Sequence, residues 1–220
     1  MKMKMALRHQ YAVVLLSCML GACATSRSVI DIPTPPLTNA TQPQASGKDV
    51  YINLPKDKRV FEAAPASPNI PSLDSSESNS DRIRARAIAR KRNTFGKALG
   101  DILLPEGKTV ESLTAASIRQ AFQEKGYRVL DDKSKVSAST YIVDTELLKF
   151  WSWGNPGFWA ITLSAEISTV LDIKSPSGTS RENVSVKASD NFQTGMESNW
   201  TEVINKALKI YVDDLKAKLQ

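Results

Sequence analysis

Apolar and polar residues alternate most strictly between positions 158 and 173. Trp159, Ile161, Leu163, Ala165, Ile167, Leu171 and Ile173 share one parity; Thr162, Ser164, Glu166, Ser168 and Asp172 share the other. A period of two predicts a strand with one buried and one wet face. The flanking stretches repeat the pattern. Residues 138–151 group Tyr141, Val143, Thr145, Leu147 and Trp151 on one face, with Ile142, Asp144, Glu146, Leu148 and Phe150 opposite. Residues 183–192 turn Val184, Val186, Ala188 and Phe192 inward. Gly154-Asn155-Pro156-Gly157 and Ser175-Pro176-Ser177-Gly178 supply turn chemistry between them. Residues 138–192 therefore predict a three-strand antiparallel meander.

The period changes to 3.6 in two places. Val110, Leu113, Ser117, Ile118, Ala121 and Phe122 form a helical stripe between Thr109, a good N-cap, and Gly126, a good stop. Trp200, Val203, Ile204, Ala207, Leu208, Tyr211, Leu215 and Leu219 form a broader stripe near the C-terminus. Shorter strands are expected at 50–54, 101–104 and 127–130. Residues 63–80, broken by Pro65, Pro68 and Pro71, read as a long loop. The expected fold is α+β: a two-layer sandwich, with a mainly antiparallel sheet packed by two amphipathic helices. One domain would span 48–220.

The N-terminus follows neither period. Lys2, Lys4 and Arg8 precede an apolar run of ten, Tyr11 to Leu20. That is about half the ~20 residues of a membrane-spanning helix and suits a signal-peptide core. Leu20-Gly21-Ala22-Cys23 follows, and it resembles the lipobox of bacterial lipoproteins. The resemblance implies cleavage between Ala22 and Cys23, with diacylglycerol and an N-acyl chain placed on Cys23. Ala24 after the Cys resembles a start sorted to the outer membrane. Residues 23–47, rich in Pro, Thr, Ser, Asn and Gln, read as a flexible tether of roughly 25–30 Å span.

Removing residues 1–22 changes the composition. The whole chain has 29 basic and 23 acidic residues. Without Lys2, Lys4 and Arg8 the balance is 26 to 23, which gives no argument for nucleic acid. His9 and Cys18 leave with the signal, and Cys23 is acylated. No His and no free Cys would remain, which excludes His-based triads and thiolate or imidazole metal sites. No metal or cofactor is expected beyond the covalent lipid, and no catalytic residue.

Two surfaces remain as candidates for contact. One is the aromatic hairpin Phe150, Trp151, Trp153, Phe158 and Trp159, suited to a bilayer interface, a glycan or a protein. By parity its tryptophans cap the core, while Phe150 and Phe158 face the wetter side. The other is the basic stretch Arg82, Arg84, Arg86, Arg90 and Arg92. Arg82, Arg84 and Arg86 alternate with Ile83, Ala85 and Ala87: a strand would gather them on one cationic face for an anionic surface, a helix would scatter them, and a solvated face balanced by nearby acids is the plainer alternative. A hydrolase using Glu166, beside Asp144 and Glu146 on the outer sheet face, is a third and weaker option.

The arrangement resembles the YajG-type lipoproteins of Gram-negative envelopes. The resemblance rests on several features: the Leu20–Cys23 box; Val50-Tyr51-Ile52-Asn53-Leu54 running into Asp57 and Arg59; Arg92-Asn93; the Thr109–Gly126 helix with Tyr127; and the C-terminal helix. The segment 63–100 and the tryptophan-rich hairpin depart from that family. ABC-transport auxiliary lipoproteins are a more distant likeness. The resemblance implies a non-enzymatic, lipid-anchored outer-membrane protein facing the periplasm, with an envelope protein as partner. An accessory that binds lipid or glycan for a transport system is the alternative.

Overall fold

The computed structural model describes residues 27–34 and 47–219. The expected signal and Cys23 lie outside them. The fold is α+β, built on a nine-stranded sheet among the described residues. Its strands are β1 (Ser28–Val29), β2 (Asp49–Ile52), β3 (Lys56–Asp57), β4 (Ala87–Arg92), β5 (Ala98–Leu103), β6 (Arg128–Leu130), β7 (Tyr141–Pro156), β8 (Ile161–Ser175) and β9 (Gly178–Phe192). The helices are α1 (Asp81–Arg86), α2 (Val110–Glu124) and α3 (Glu197–Lys218).

The 16-residue β7 is the spine of the sheet. One of its edges pairs antiparallel with β8 along its length, and β8 pairs antiparallel with β9. The other edge therefore takes β2, β3 and β4, which pair with it in parallel at Val50–Tyr141, Lys56–Glu146 and Ala89–Ser152. These three short strands line up end to end. Beyond them β6 adds parallel to β2, β5 antiparallel to β4, and β1 parallel to β5. The sheet is thus mixed: its long ladders are antiparallel and its short ones parallel. Parallel partners must arrive by long crossovers, and one such crossover contains α2.

α2 starts where the sequence places it. Thr109 accepts from Ser112 N, and Ser112 Oγ accepts from Thr109 N, closing a capping box. The helix ends in a Schellman turn. Gly126 takes a φ of 94°, Tyr127 N donates to Phe122 O, and the two rings meet edge-on at 5.1 Å. α3 buries Trp200, Val203, Ile204, Ala207, Leu208, Tyr211, Val212 and Leu215. Both helices join one core with the inward residues of β7–β9, such as Val143, Leu163, Leu171 and Val184.

Tyr211 ties α3 to the sheet, its hydroxyl 2.8 Å from Thr169 Oγ1 in the core. Burial pushes this phenol well above its usual range, against a smaller opposing effect of the hydrogen bond. The folded state then holds the proton more tightly than the unfolded chain. Its contribution is full below the unfolded value, about 10, and is lost as pH rises beyond it. Urea midpoints taken at pH 8 and near pH 11 should fall more steeply for wild type than for Tyr211→Phe. Equal slopes would show that the phenol does not titrate differently on unfolding.

A second, smaller core lies on the opposite face of the sheet. It gathers Leu73, Ile83, Ala87, Leu103, Trp151 and Trp153, with Phe61 against it. A β-bulge makes it possible. The β7–β8 register shifts between Leu147 and Lys149, leaving Leu148 as the extra residue, 42% exposed. Beyond the bulge the parity of β7 reverses. Phe150 joins the main core with Val143 and Leu147, while Trp151 and Trp153 turn to the other face. The expected grouping of Trp151 with Tyr141–Leu147, and of Phe150 with the wet face, is corrected accordingly.

Two further expectations are decided by the structure. Residues 82–86 form helix, the alternative that scatters the arginines. Ser80 caps α1, and Ile83 and Arg86 are both buried at a spacing of three. The expected tether contains structure: Ser28 and Val29 pair with Ile102 and Leu103, and Ile30 and Ile32 are buried in the main core. Apolar residues at 30 and 32 alternate with Val29 and Asp31, a period too short to stand out between prolines.

Candidate functional site

Three connections emerge at one end of the sheet. β4 and β7 run parallel, level at Ala89 and Ser152. β4 therefore leads to the turn at 93–97 at the same end where β7 leads to the turn at 157–160. β9 finishes there too, with Phe192 beside Ile161, and passes through 193–196 into α3.

Each connection presents an apolar side chain to solvent. Phe95 is 93% exposed, Phe158 88%, Trp159 82% and Met196 62%. Their turns are well defined. Asn93 Oδ1 accepts from the backbone of Phe95 and Lys97, and Gly96 adopts a φ of 78°. In the second turn Gly157 N donates to Ala160 O at 2.8 Å. A Cβ on Gly157 would meet that same oxygen at 2.8 Å, so only glycine fits. Phe158 and Trp159 pack edge to face with centroids 4.7 Å apart, supporting each other outside the core. At the third, Asn199 Nδ2 donates to Thr194 O, and Trp200 Nε1 to Gly195 O.

Between these connections lies a groove of about 820 Å³. Leu99, Ile102, Ile161 and Trp200 give it an apolar lining, and Met196 stands at its side. Two cations, Lys91 and Arg92, and one carboxylate, Glu197, border it. Lys91 Nζ donates to Ser28 Oγ, and Arg92 donates to Gly96 O and Ser72 Oγ. Burial, reinforced by the Arg90 charge, holds the Arg92 guanidinium below its usual value. Such a site suits an amphipathic ligand or surface, apolar in the centre with a polar edge.

The structure divides the predicted aromatic surface. Phe150, Trp151 and Trp153 are buried at 2%, 1% and 4%. Trp151 Nε1 donates to Pro68 O, and the amines of Lys149 and Lys187 lie over the Trp153 ring at 5.8 and 5.2 Å. Phe158 is exposed as parity predicts. Trp159 is exposed against prediction, because β8 begins only at Ile161 and the turn frees the residues before it. No periodic pattern in the sequence marks Phe95 or Met196. A lone apolar residue in a polar turn, as in Asn93-Thr94-Phe95-Gly96, is the signal that could have found Phe95.

The predicted basic face is dispersed. Arg82 and Arg86 both approach Glu106, and Arg86 is buried, donating also to Leu104 O. Arg84 lies over the Phe61 ring at 5.1 Å. Arg90 pairs with Asp101 at 3.4 Å, and Asp101 is itself buried. Of the five, only Arg92 borders the groove. On the outer face of the sheet, Glu166 pairs with Lys149 at 2.8 Å and Asp144 with Lys174 at 2.8 Å. The lysine hydrogen bond holds Asp144 below the usual carboxylate range. Glu146 lies on the same parity but is not among these ion pairs. No helix among the described residues is long and apolar enough to cross a membrane.

No protein-family model matches the chain, and no curated protein matches it. Solved structures with a similar course include an uncharacterized protein at 6% identity and a TM-score of 0.47, covering 90% of this chain and 99% of that one. A DUF330 protein from Xanthomonas campestris aligns at 14% identity and a TM-score of 0.46, over 87% and 91% of the two chains. A putative neuraminyllactose-binding hemagglutinin homolog from Helicobacter pylori aligns at 12% and a TM-score of 0.35, over 84% and 92%.

Proposed function

We propose that the protein is a lipid-anchored envelope lipoprotein whose folded domain is a non-enzymatic binding or assembly module. The anchor reading rests on Leu20-Gly21-Ala22-Cys23 following a ten-residue apolar run. The binding reading rests on one observation: Phe95, Phe158, Trp159 and Met196 are brought from three separate connections to the same end and left exposed. Large apolar side chains concentrated in this way mark contact surfaces in soluble domains. Outer-membrane placement facing the periplasm, and kinship with YajG-type lipoproteins, belong to the same proposal. So does the reading of the domain as a two-layer sandwich around a β7–β9 meander, which the packing of α2 and α3 supports.

The second reading is a lipid- or glycan-binding accessory of a transport system. The apolar groove beside the aromatic tips favours it.

Cys23 provides the test. In cells fed an alkyne-tagged fatty acid, wild-type protein should carry the tag and sediment with membranes. Cys23→Ser should lose the tag and leave the membrane fraction. Untagged wild-type protein would defeat the anchor reading.

A further inference from the structure

We infer that the end carrying Phe95, Phe158 and Trp159 rests on the lipid bilayer itself, as an interfacial contact face. This builds on the lipid anchor at Cys23 proposed above. The argument is one of chain direction and reach. β1 runs parallel to β5, and β5 begins at the aromatic end with Ala98. The chain preceding Ser28 is therefore directed toward that end.

Ser28 is level with Ile102, four strand positions from Ala98. At about 3.3 Å per residue, Ser28 sits some 13 Å below the start of the turn that bears Phe95. Cys23 is five residues before Ser28. Fully extended, five residues reach at most about 18 Å. A lipid on Cys23 thus cannot enter a bilayer while the domain floats well clear of it. The docking of Ser28 and Val29 removes the longer tether that would have allowed this. Within that reach, the end of the domain nearest the membrane is the end with the exposed aromatics.

The chemistry of that end fits an interface. Trp and Phe rings at hairpin tips favour the headgroup boundary, where an apolar body and a polar edge are both accommodated. Lys97, exposed in the Phe95 turn, can pair with phosphate oxygens there. A protein partner at the same face would leave the rings outside the lipid, which gives the experiment its contrast.

Trp159 makes the contact measurable, because Trp151, Trp153 and Trp200 are buried. Protein expressed from the whole sequence in a diderm bacterium is purified and reconstituted with vesicles of phosphatidylethanolamine and phosphatidylglycerol carrying brominated acyl chains near the headgroups. Mass spectrometry of the same sample reads the lipid on Cys23. The expected result is quenching of up to the emission of one of the four tryptophans, lost in Trp159→Phe. Near-ultraviolet circular dichroism checks that the variant keeps its fold. Acylated, vesicle-bound protein without quenching overturns the contact face and leaves the anchor standing. Protein that carries no lipid and does not bind vesicles overturns both.

Discussion

Asp57→Ala should lower the stability of the domain by about 3–5 kcal/mol, the loss expected when one member of a buried ion pair is removed. The Arg59 side chain is fully buried and Asp57 is 19% exposed. Arg59 Nε donates to both Asp57 oxygens at 2.9 and 3.1 Å, and Nη2 to Asp57 Oδ2 at 2.8 Å. Its remaining reach goes to three carbonyls: Ala87 O at 2.7 Å, Phe150 O at 3.1 Å and Arg84 O at 2.6 Å. One guanidinium thereby joins the end of α1, the start of β4 and the stretch of β7 just past its bulge. Without the carboxylate its charge stays buried and unbalanced.

Arg59→Lys should cost nearly as much, because a single ammonium cannot span a carboxylate and three carbonyls. Urea denaturation reads both variants as lower midpoints with unchanged slopes. A loss under about 1 kcal/mol for Asp57→Ala, as for exposed pairs, would mean that the carboxylate does not balance the guanidinium.

Trp151→Ala should cost a similar amount, about 3–5 kcal/mol, by opening a cavity in the second core. Trp151 is 1% exposed, meets Phe61 edge-on at 5.9 Å and donates to Pro68 O. Its ring and Nε1 both reach the 59–83 segment, through Phe61 and Pro68, so the loss should be local as well as global. Hydrogen exchange should speed up in residues 61–73 more than in β8 and β9, whose core is the main one. Uniform acceleration across the sheet would show that the two cores unfold as one unit. Phe158→Ser, at an exposed tip, should stay within about 0.5 kcal/mol of wild type. The contrast between Trp151 and Phe158 separates aromatic residues that hold the fold from those available for contact.

The hydrophobic pattern determines most of the elements. The strict alternation of 161–173 predicts β8 and its inward face, and β9 follows from Val184, Val186 and Ala188. The 3.6-residue stripes and the Thr109 and Gly126 signals predict α2 and α3. These are legible because each depends on neighbours within a turn or two of the same segment.

The tertiary structure decided where faces change and which residues meet. One extra residue at Leu148 reverses the parity of β7, and an apolar leucine gives no local sign that it is unpaired. The burial of Arg59 and Arg86 depends on carbonyls 18 to 91 residues away, such as Leu104 O and Phe150 O, and that of Asp101 on Arg90 of the neighbouring strand. The candidate contact face depends on parallel registry between β4 and β7, which aligns Phe95 with Phe158 and Trp159 across more than sixty positions of sequence. Periodicity records whether a residue faces inward along its own strand. It carries no information about which end of another strand lies alongside, because that is set by pairings between distant segments.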